Sequence, residues 1–310
     1  MLSLIDQLSS LAEVFILIIP GVILAKTKIL SEDQANGISQ VVVNIAWPCL
    51  VISVLQMDSS PRIIINAGLV VLASCILTAI AFLMGSAVLK FHPVEDSKKY
   101  LFLYMLIFAN TGFMGIPIAK AVLGNEGVIY IALADSLTDI FVFTVGVFLM
   151  SKATGSSSKS SPKEMISPGS VSIVIGLILF LTGFRLPAII EGPIDAIGAV
   201  TTPLSMLIVG YNLGKINIKS LVTGSDVYIL AFSKLVLLPA IVFIILKTSF
   251  GLDDTFLKVI LLISALPSAT CTILFAEKYQ ADTAYATRGV VLTTLLSLIS
   301  LTVFTTLMHI

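Results

Sequence analysis

Charged side chains are scarce in this sequence: Asp, Glu, Lys and Arg together make up 12% of its 310 residues. Hydrophobic residues make up 57%, and the mean hydropathy is +1.07. This composition lies outside the range of soluble domains, in which about a quarter of the residues are charged. Acidic and basic residues balance at 18 each and no basic arm is present, so a nucleic-acid partner is not expected.

Cysteine and histidine are also rare. The three cysteines, Cys49, Cys75 and Cys271, fall in apolar stretches without a CxxC pair, so neither a disulfide framework nor a metal site is predicted. The histidines are His92 and His309, and the motifs HExxH, GxSxG and GxGD do not occur. The phosphate-binding loop of ATPases is missing as well. We therefore predict neither an enzymatic activity nor a bound cofactor.

Long apolar runs dominate the sequence instead. A transmembrane helix needs about 20 consecutive apolar residues, and such runs recur along nearly the whole chain. We predict an all-α polytopic membrane protein with ten transmembrane helices embedded in the lipid bilayer. They cover residues 10–26, 37–56, 63–90, 99–122, 127–151, 168–186, 194–214, 224–249, 256–279 and 284–309.

Positive charges predict the orientation of these helices, because short loops rich in Lys and Arg stay on the cytoplasmic side. With an external N-terminus, the outer loops hold only Arg62, Arg185, Lys247 and Lys258, and most of the other basic residues fall in inner loops. The first ten residues lack the basic region of a cleaved signal peptide, so the first helix is expected to stay. We predict a multi-pass protein of the cytoplasmic membrane with both termini outward.

One charged segment rich in Ser and Gly divides the chain. This linker, residues 152–167, separates five predicted helices in residues 1–151 from five in residues 168–310. Because each part has an odd number of helices, the two parts must have opposite orientations. The sequence therefore predicts two inverted five-helix repeats joined by a short cytoplasmic linker.

Glycine and proline spacing supports the repeat. Gly21 and Pro48 recur as Gly176 and Pro203, each 155 positions later. Flanking apolar residues match at the same offset, as expected when two parts of a chain adopt the same local structure. Trp47-Pro48 and its counterpart at Pro203 are expected to bend the second and seventh helices.

The fourth predicted helix carries residues that disfavour helix. Asn110, Gly112, Gly115 and Pro117 lie near its middle. Relative to Ala, Gly costs about 1 kcal/mol and Pro about 3 kcal/mol in a helix interior. At membrane depth a break is tolerated only where it is buried in protein or lines a cavity. We predict a broken helix, and the alternative is a proline-kinked helix with glycines for close packing.

The ninth predicted helix repeats this design around Pro267, 150 positions after Pro117. Two broken helices in corresponding positions indicate a binding site near the bilayer midplane. The N-termini of half-helices attract anions, and Asn110 adds an amide. We predict a carboxylate site that also uses hydroxyl groups of Ser268 and Thr270.

Ionisable residues inside the predicted helices are functional candidates, because charge is costly at the bilayer centre. Lys120 could approach an anionic substrate or extend to the membrane interface. Asp135 and Asp139 lie one helical turn apart and suit proton or cation coupling. Lys234 is a further coupling candidate, or a structural ion-pair partner of either aspartate.

The stretch NTGFMGIPIAKAVLG, residues 110–124, resembles the signature of the auxin efflux carrier family, which includes the plant PIN carriers and many bacterial permeases. Residues 21–55 look like the first two helices of that family. Residues 194–214 look like its seventh helix, and residues 266–298 look like its ninth and tenth. The resemblance covers almost the whole chain in the expected order. The short central linker differs from the long loop of plant members.

The resemblance implies roles for particular residues. Pro117 and Pro267 match the prolines at which helices four and nine unwind and cross, and Asn110 matches the asparagine beside the substrate. Glu277 matches a common acidic position and is either a coupling candidate or a salt-bridge partner of a nearby basic residue. The family resembles the bile-acid symporter fold. Helices 1, 2, 6 and 7 would form a scaffold and a possible homodimer interface, and helices 3–5 and 8–10 a transport domain that moves like an elevator.

These observations predict a secondary transporter that moves a small organic anion across the membrane by elevator-type alternating access. Short bacterial members of the family suggest malonate, malate or another small carboxylate. Coupling to protons, to sodium or to the membrane potential alone is left open. The alternatives are a sodium-coupled carrier similar to the bile-acid symporters and a channel or transporter-like sensor, because broken helices also line pores.

Overall fold

Helices account for all the regular secondary structure in the described part of this computed structural model, which comprises residue 9 and residues 12–56, 61–154, 168–215, 224–247 and 253–307. The all-α prediction is confirmed for these residues, which contain one isolated bridge, between Ala109 and Ser268, and no strand. Both chain ends and most of the predicted linker lie outside them. The helices are α1 Ile18–Lys26, α2 Glu32–Val54, α3 Pro61–Phe91, α4 Asp96–Ile107, α5 Thr111–Thr154, α6 Pro168–Thr182, α7 Ala188–Gly214, α8 Ser225–Lys247, α9 Asp254–Ala265, α10 Cys271–Lys278 and α11 Thr283–Leu307.

Six of the described helices are long and apolar enough to cross a membrane: α2, α3, α5, α7, α8 and α11. These helices are consistent with the prediction of a multi-pass helical membrane protein. The other predicted crossings fall on shorter or interrupted helices, namely α1, α6, the pair α4 and α5, and the pair α9 and α10. The ten-helix inverted arrangement stays a prediction at this level.

Helix α5 combines two of the predicted crossings. It runs for 44 residues, but Gly124 has φ 69° and ψ −156°, which are not helical angles. Positive φ at such a position favours glycine, because other residues meet a steric penalty there. The break falls in the predicted connection between the fourth and fifth crossings, so α5 consists of two helical segments.

Helix α2 begins at Glu32, earlier than the predicted start at residue 37. Ser31 caps it: the Ser31 hydroxyl accepts a hydrogen bond from the Gln34 backbone N–H at 3.3 Å, and the Gln34 side chain accepts one from the Ser31 N–H at 2.9 Å. This reciprocal arrangement satisfies donors that a helix start leaves free. The polar first turns of α2 therefore extend beyond the apolar run from which the crossing was predicted.

Widened π turns precede three of the prolines in the helices. The turns Val42–Ala46, Thr111–Gly115 and Ser233–Leu237 each end two residues before a proline, at positions 48, 117 and 239. Proline has no N–H, and its ring clashes with the carbonyl group of the preceding turn. A π turn changes the hydrogen-bond pattern at that point, so the helix continues past the proline with a local distortion.

Two compact units make up the described chain, and we call them unit 1 and unit 2. Each unit draws on both predicted repeats, so the compact units and the repeats are different divisions of the chain. The predicted assignment of scaffold and transport helices stays a prediction. Of the described residues, unit 1 contains 12–56, 61–70, 112–136 and 168–215, and unit 2 contains 71–111, 137–154, 224–247 and 253–307.

Within unit 1, α1 packs against the last part of α7 through two glycines. A Cβ atom on Gly21 would lie 2.0 Å from the carbonyl oxygen of Leu207, and one on Gly210 would lie 2.0 Å from that of Ile18. Both distances are far below van der Waals contact. Only glycine permits this approach of the two backbones.

A second glycine contact in unit 1 joins α6 to Leu55, the residue that follows α2. A Cβ atom on Gly176 would lie 2.4 Å from Cδ1 of Leu55. Gly176 lies 155 positions after Gly21, and Gly210 lies 155 positions after Leu55. The predicted repeat offset therefore relates this contact to the contact between Gly21 and Gly210.

Within unit 2, the end of α4 is enclosed by other helices, and residues 101–110 are all buried. Glycines bring three neighbouring helices close to it. Cβ atoms on Gly85 of α3, Gly146 of α5 and Gly289 of α11 would each lie less than 3 Å from a side chain of α4. Backbone groups at the end of α4 therefore need hydrogen-bond partners inside the protein.

Candidate functional site

Helices α4 and α9 both stop inside unit 2. Each has 12 residues, beginning at Asp96 and at Asp254. The next residue is extended in both cases: Phe108 has φ −87° and ψ 116°, and Leu266 has φ −66° and ψ 149°. Helix is thus interrupted in the fourth and in the ninth predicted crossing.

The two extended segments pair with each other. The backbone N–H of Asn110 donates to the carbonyl oxygen of Pro267 at 2.9 Å, and the N–H of Ala269 donates to that of Phe108 at 2.9 Å. These two bonds satisfy backbone groups that the interrupted helices would otherwise leave unpaired. We call the two segments, residues 108–110 and 266–270, the crossing.

Two side chains donate hydrogen bonds to carbonyl groups at the end of α4. The hydroxyl of Ser268 donates to the carbonyl oxygen of Met105 at 2.9 Å, and the ammonium of Lys234 donates to that of Leu106 at 2.8 Å. The N–H of Ser268 in turn donates to the hydroxyl oxygen of Thr293 at 3.2 Å. Ser268 is fully buried, so its polar groups bind other parts of unit 2. A substrate contact of Ser268 stays a prediction.

Asn110 combines burial with an unused donor. The residue is 3% exposed, its backbone N–H binds Pro267, and its side-chain Nδ2 has no hydrogen-bond partner among the described residues. A buried polar group without a partner costs about 1–3 kcal/mol, so such groups are rare without a reason. An acceptor group on a ligand would satisfy this donor. Thr270 differs from Asn110, Pro267 and Ser268, the other predicted site residues on the crossing, in that it is only partly buried.

Pro117 lies within a helix and not in the interruption. Helix α4 stops at Ile107 and α5 begins at Thr111, whereas Pro117 follows the π turn that ends at Gly115. The π turn accommodates the proline, so no break is needed there. Aligning Pro117 with Pro267 therefore does not align equivalent places, because Pro267 is part of the crossing. Alignment of the two helix ends needs an offset of 158 positions instead of 150.

Lys120 lies in unit 1 near the turn that interrupts α5. Its side chain is exposed, and its ammonium donates to Oδ1 of Asn125. In the same turn, the carboxylate of Glu126 pairs with Arg62 at 2.7 Å and accepts a hydrogen bond from the hydroxyl of Tyr130 at 2.8 Å. This polar setting favours the alternative in which Lys120 extends toward the interface. A substrate contact of Lys120 stays a prediction.

The two predicted coupling aspartates lie on α5, one turn apart. Asp135 is buried and Asp139 is partly buried. Gly112, a predicted site residue, faces Asp135 within unit 1: a Cβ atom on it would lie 3.7 Å from both carboxylate oxygens. The glycine and the carboxylate are thus neighbours. Roles of the aspartates in coupling stay predictions.

Lys234 is 1% exposed and has a carbonyl partner. The end of α4 presents this partly negative carbonyl group at hydrogen-bond distance. A coupling role of Lys234 and the alternative ion pair with Asp135 or Asp139 stay predictions. The side chain of Glu277 lies outside the described residues.

Two residues that form hydrogen bonds at the crossing are not found by sequence reasoning: Phe108 within it and Thr293 beside it. Phe108 contributes its backbone carbonyl, and any residue type can do so, which leaves no signal in the sequence. Thr293 accepts the bond from Ser268 in the middle of the apolar helix α11. A buried hydroxyl in an apolar crossing is a signal that could have identified Thr293.

A family model described as a membrane transport protein matches residues 7–305, nearly the whole chain. The chain belongs to this membrane transport protein family. The resemblance to the auxin efflux carriers is thereby confirmed. Members of the membrane transport protein family are transporters and not enzymes, in agreement with the expectation from the missing catalytic motifs.

Relatives in archaea and bacteria are similar over most of their length. An uncharacterized transporter of Methanocaldococcus jannaschii is 26% identical over 92% of this chain and 94% of its own. An uncharacterized transporter of Methanothermobacter thermautotrophicus is 23% identical over 93% of this chain and 94% of its own. A protein of Rhizobium meliloti, named as a candidate malonate transporter, is 24% identical over 63% of this chain and 62% of its own.

Proposed function

We propose that this chain is a secondary transporter that moves a small organic anion, a carboxylate, across the cytoplasmic membrane by elevator-type alternating access. The observation that carries the proposal is the buried side-chain Nδ2 of Asn110, which has no hydrogen-bond partner among the described residues and lies beside two paired helix interruptions. In membrane proteins, irregular backbone occurs where it is enclosed by protein or lines a cavity, and transporters bind substrates at such interruptions.

The chemistry of the crossing suits an anion. The Nδ2 group of Asn110 is a donor, and α10 begins directly after the crossing, so its positive end faces residues 266–270. The ammonium of Lys234 adds a positive charge at the end of α4. Carboxylates accept hydrogen bonds and carry the complementary charge. The relative named for malonate supports a small carboxylate as the substrate class.

The predicted arrangement of ten crossings in two inverted repeats is part of this proposal. Two features support it: the glycine contacts of unit 1 that obey the offset of 155 positions, and the equal lengths of α4 and α9. In the proposed arrangement both termini face outward, and helices 1, 2, 6 and 7 form the scaffold and a homodimer interface. Protons, sodium or the membrane potential drive transport, with Asp135, Asp139 and Glu277 as the candidate proton-binding residues.

The test is uptake of labelled malonate into proteoliposomes, with malate, acetate and neutral diamides as competitors. We expect saturable exchange that carboxylates inhibit and neutral analogues do not. Asn110→Ala should weaken the apparent affinity about tenfold, because a hydrogen bond to a charged group contributes about 1.5–3 kcal/mol. Saturable exchange also distinguishes a carrier from a channel.

Asn66→Ala is the matched control. Asn66 is 5% exposed and its Nδ2 also lacks a partner among the described residues, but it lies on α3 in unit 1. We expect the control to retain the apparent affinity. Equal losses in the two variants, or an unchanged affinity in Asn110→Ala, would remove Asn110 from the binding site.

A further inference from the structure

Lys234 occupies an unusual position for a lysine. It lies in the π turn Ser233–Leu237 of α8, and its side chain is among the largest that are fully buried in the described chain. Lysine is almost never fully buried unless its charge has a partner. Here the partner is the carbonyl oxygen of Leu106 at 2.8 Å, a group of the same unit.

The partner of Lys234 is part of a helix end. The C-terminus of a helix carries a partial negative charge, because its last carbonyl groups have no N–H partner within the helix. Helix α4 ends at Ile107, and residues 101–110 around this end are all buried within unit 2. Three oxygens at this end accept hydrogen bonds from beyond the helix: those of Met105, Leu106 and Phe108.

The three partners differ in charge. Met105 receives the neutral hydroxyl of Ser268, and Phe108 receives the neutral N–H of Ala269. Of the three oxygens, only that of Leu106 accepts from a basic side chain, the ammonium of Lys234. The carbonyl ends of interrupted helices are the places at which transporters bind coupling cations such as sodium. The ammonium of Lys234 therefore occupies the position at which a free cation would contact the Leu106 carbonyl oxygen and the partial negative charge of the helix end.

We propose that the ammonium of Lys234 is a resident cation: it takes the position that a free alkali cation would occupy at the end of α4. The protein then needs no sodium ion at this helix end. The consequence for transport rests on the proposed function, because it specifies that substrate movement requires no sodium. The structural part does not depend on transport. A lysine that is tethered to α8 satisfies the helix end without any ion from solution.

The first experiment measures thermal unfolding of the purified protein without substrate, in sodium chloride and in N-methylglucamine chloride of equal ionic strength. We expect the Tm of the wild-type protein to be the same in both salts. Lys234→Ala removes the ammonium and leaves space beside the Leu106 carbonyl group. It should lower the Tm by about 5 °C in N-methylglucamine chloride, and sodium should restore part of that loss.

Three further variants separate the resident cation from a general packing effect. Lys234→Arg keeps a positive charge and should remain independent of sodium. Lys234→Met fills the space without charge, so it should lose stability without recovery in sodium. Lys247→Ala removes the exposed lysine at the other end of α8 and should change neither the Tm nor its salt dependence.

The outcomes decide the proposal. A sodium-dependent Tm of the wild-type protein would overturn it, as would a Lys234→Ala protein that is equally stable in both salts. If Lys234→Ala does not fold, the rate of malonate exchange by the wild-type protein is measured in the two salts instead. Equal exchange rates support the resident cation, and a fivefold or larger stimulation by sodium contradicts it. Absence of exchange in either salt would count against the proposed function and would leave the result from Tm unaffected.

Discussion

Helices α4 and α9 are equal in length and both are followed by an extended residue, but different groups hold their ends. A serine hydroxyl and a buried ammonium bind the last carbonyl groups of α4. Beyond the end of α9, the backbone N–H of Asn110 binds the carbonyl group of Pro267. The offset of 158 positions that aligns the two helices also aligns Lys234 with Ile76 of α3 in the sequence. Ile76 is 52% exposed.

Helices α4 and α9 thus have similar backbones but different chemical groups at their ends. Helix length and the extended residue recur, because helix ends and packing depend on many residues and tolerate substitution. The buried charge does not recur, because a single residue creates it. A charge on one side only makes the crossing electrostatically asymmetric, which suits the binding of a substrate that carries charge of one sign.

The largest effect is expected where backbones touch. Gly210→Ala places a Cβ atom 2.0 Å from the Ile18 carbonyl oxygen, and we expect a loss of about 3 kcal/mol in the free energy of unfolding. Gly176→Ala meets the end of the Leu55 side chain, which can rotate, so we expect a loss of about 1 kcal/mol. Equilibrium unfolding in detergent measures both.

Gly37→Ala is the control for this pair, because no atom lies within 4 Å of the added Cβ. It should not lower stability. Equal losses in Gly210→Ala and Gly176→Ala would contradict our expectation that a clash with a backbone atom costs more than a clash with a side chain that can rotate.

A second prediction compares two serines at the helix ends. Ser268→Ala leaves the buried carbonyl oxygen of Met105 without its hydroxyl partner and should cost about 2 kcal/mol. Ser264→Ala removes a hydroxyl that binds the carbonyl group of Leu261 within its own helix, and it should cost about 0.5 kcal/mol. A larger loss in Ser264→Ala would mean that α9, and not α4, depends on side chains at its end.

A smaller effect is expected for Thr293→Val, which keeps the shape of the side chain but removes the acceptor for the N–H of Ser268. We expect a loss of about 1 kcal/mol and a non-additive combination with Ser268→Ala, because the two residues are in contact. Thr294→Val is the matched control, since its hydroxyl binds only Val290 in the same helix. Full additivity would place Thr293 outside the network at the crossing.

The smallest effect is expected for Lys120→Ala. The side chain is exposed and binds Asn125, so the free energy of unfolding should change by less than about 0.5 kcal/mol. The apparent affinity for malonate should also be unchanged. A tenfold loss of affinity with unchanged stability would support a substrate contact of Lys120, a cation from the first half of the chain.

Much of the site follows from the sequence, and the rest does not for identifiable reasons. Asn110 and Pro267 lie at the crossing. Both could be predicted, because a polar residue and a helix-breaking residue are recognisable from the sequence. Pro117 is not in the interruption, because a π turn accommodates it. Lys234 is predicted as an intramembrane charge, but its partner is a backbone carbonyl group. Every residue carries such a group, so the residue types in the sequence do not reveal which one Lys234 binds.

The sequence by itself determined the class of protein, the family and the residues that disfavour helix, because these depend on composition and on local order along the chain. Only the tertiary structure decided where the helices stop and which groups meet there. Phe108, Lys234 and Ser268 are far apart in the chain, and their contacts extend over less than 3 Å. Such contacts depend on how unit 2 packs around the end of α4, where buried carbonyl groups select whichever donors the neighbouring helices bring within reach.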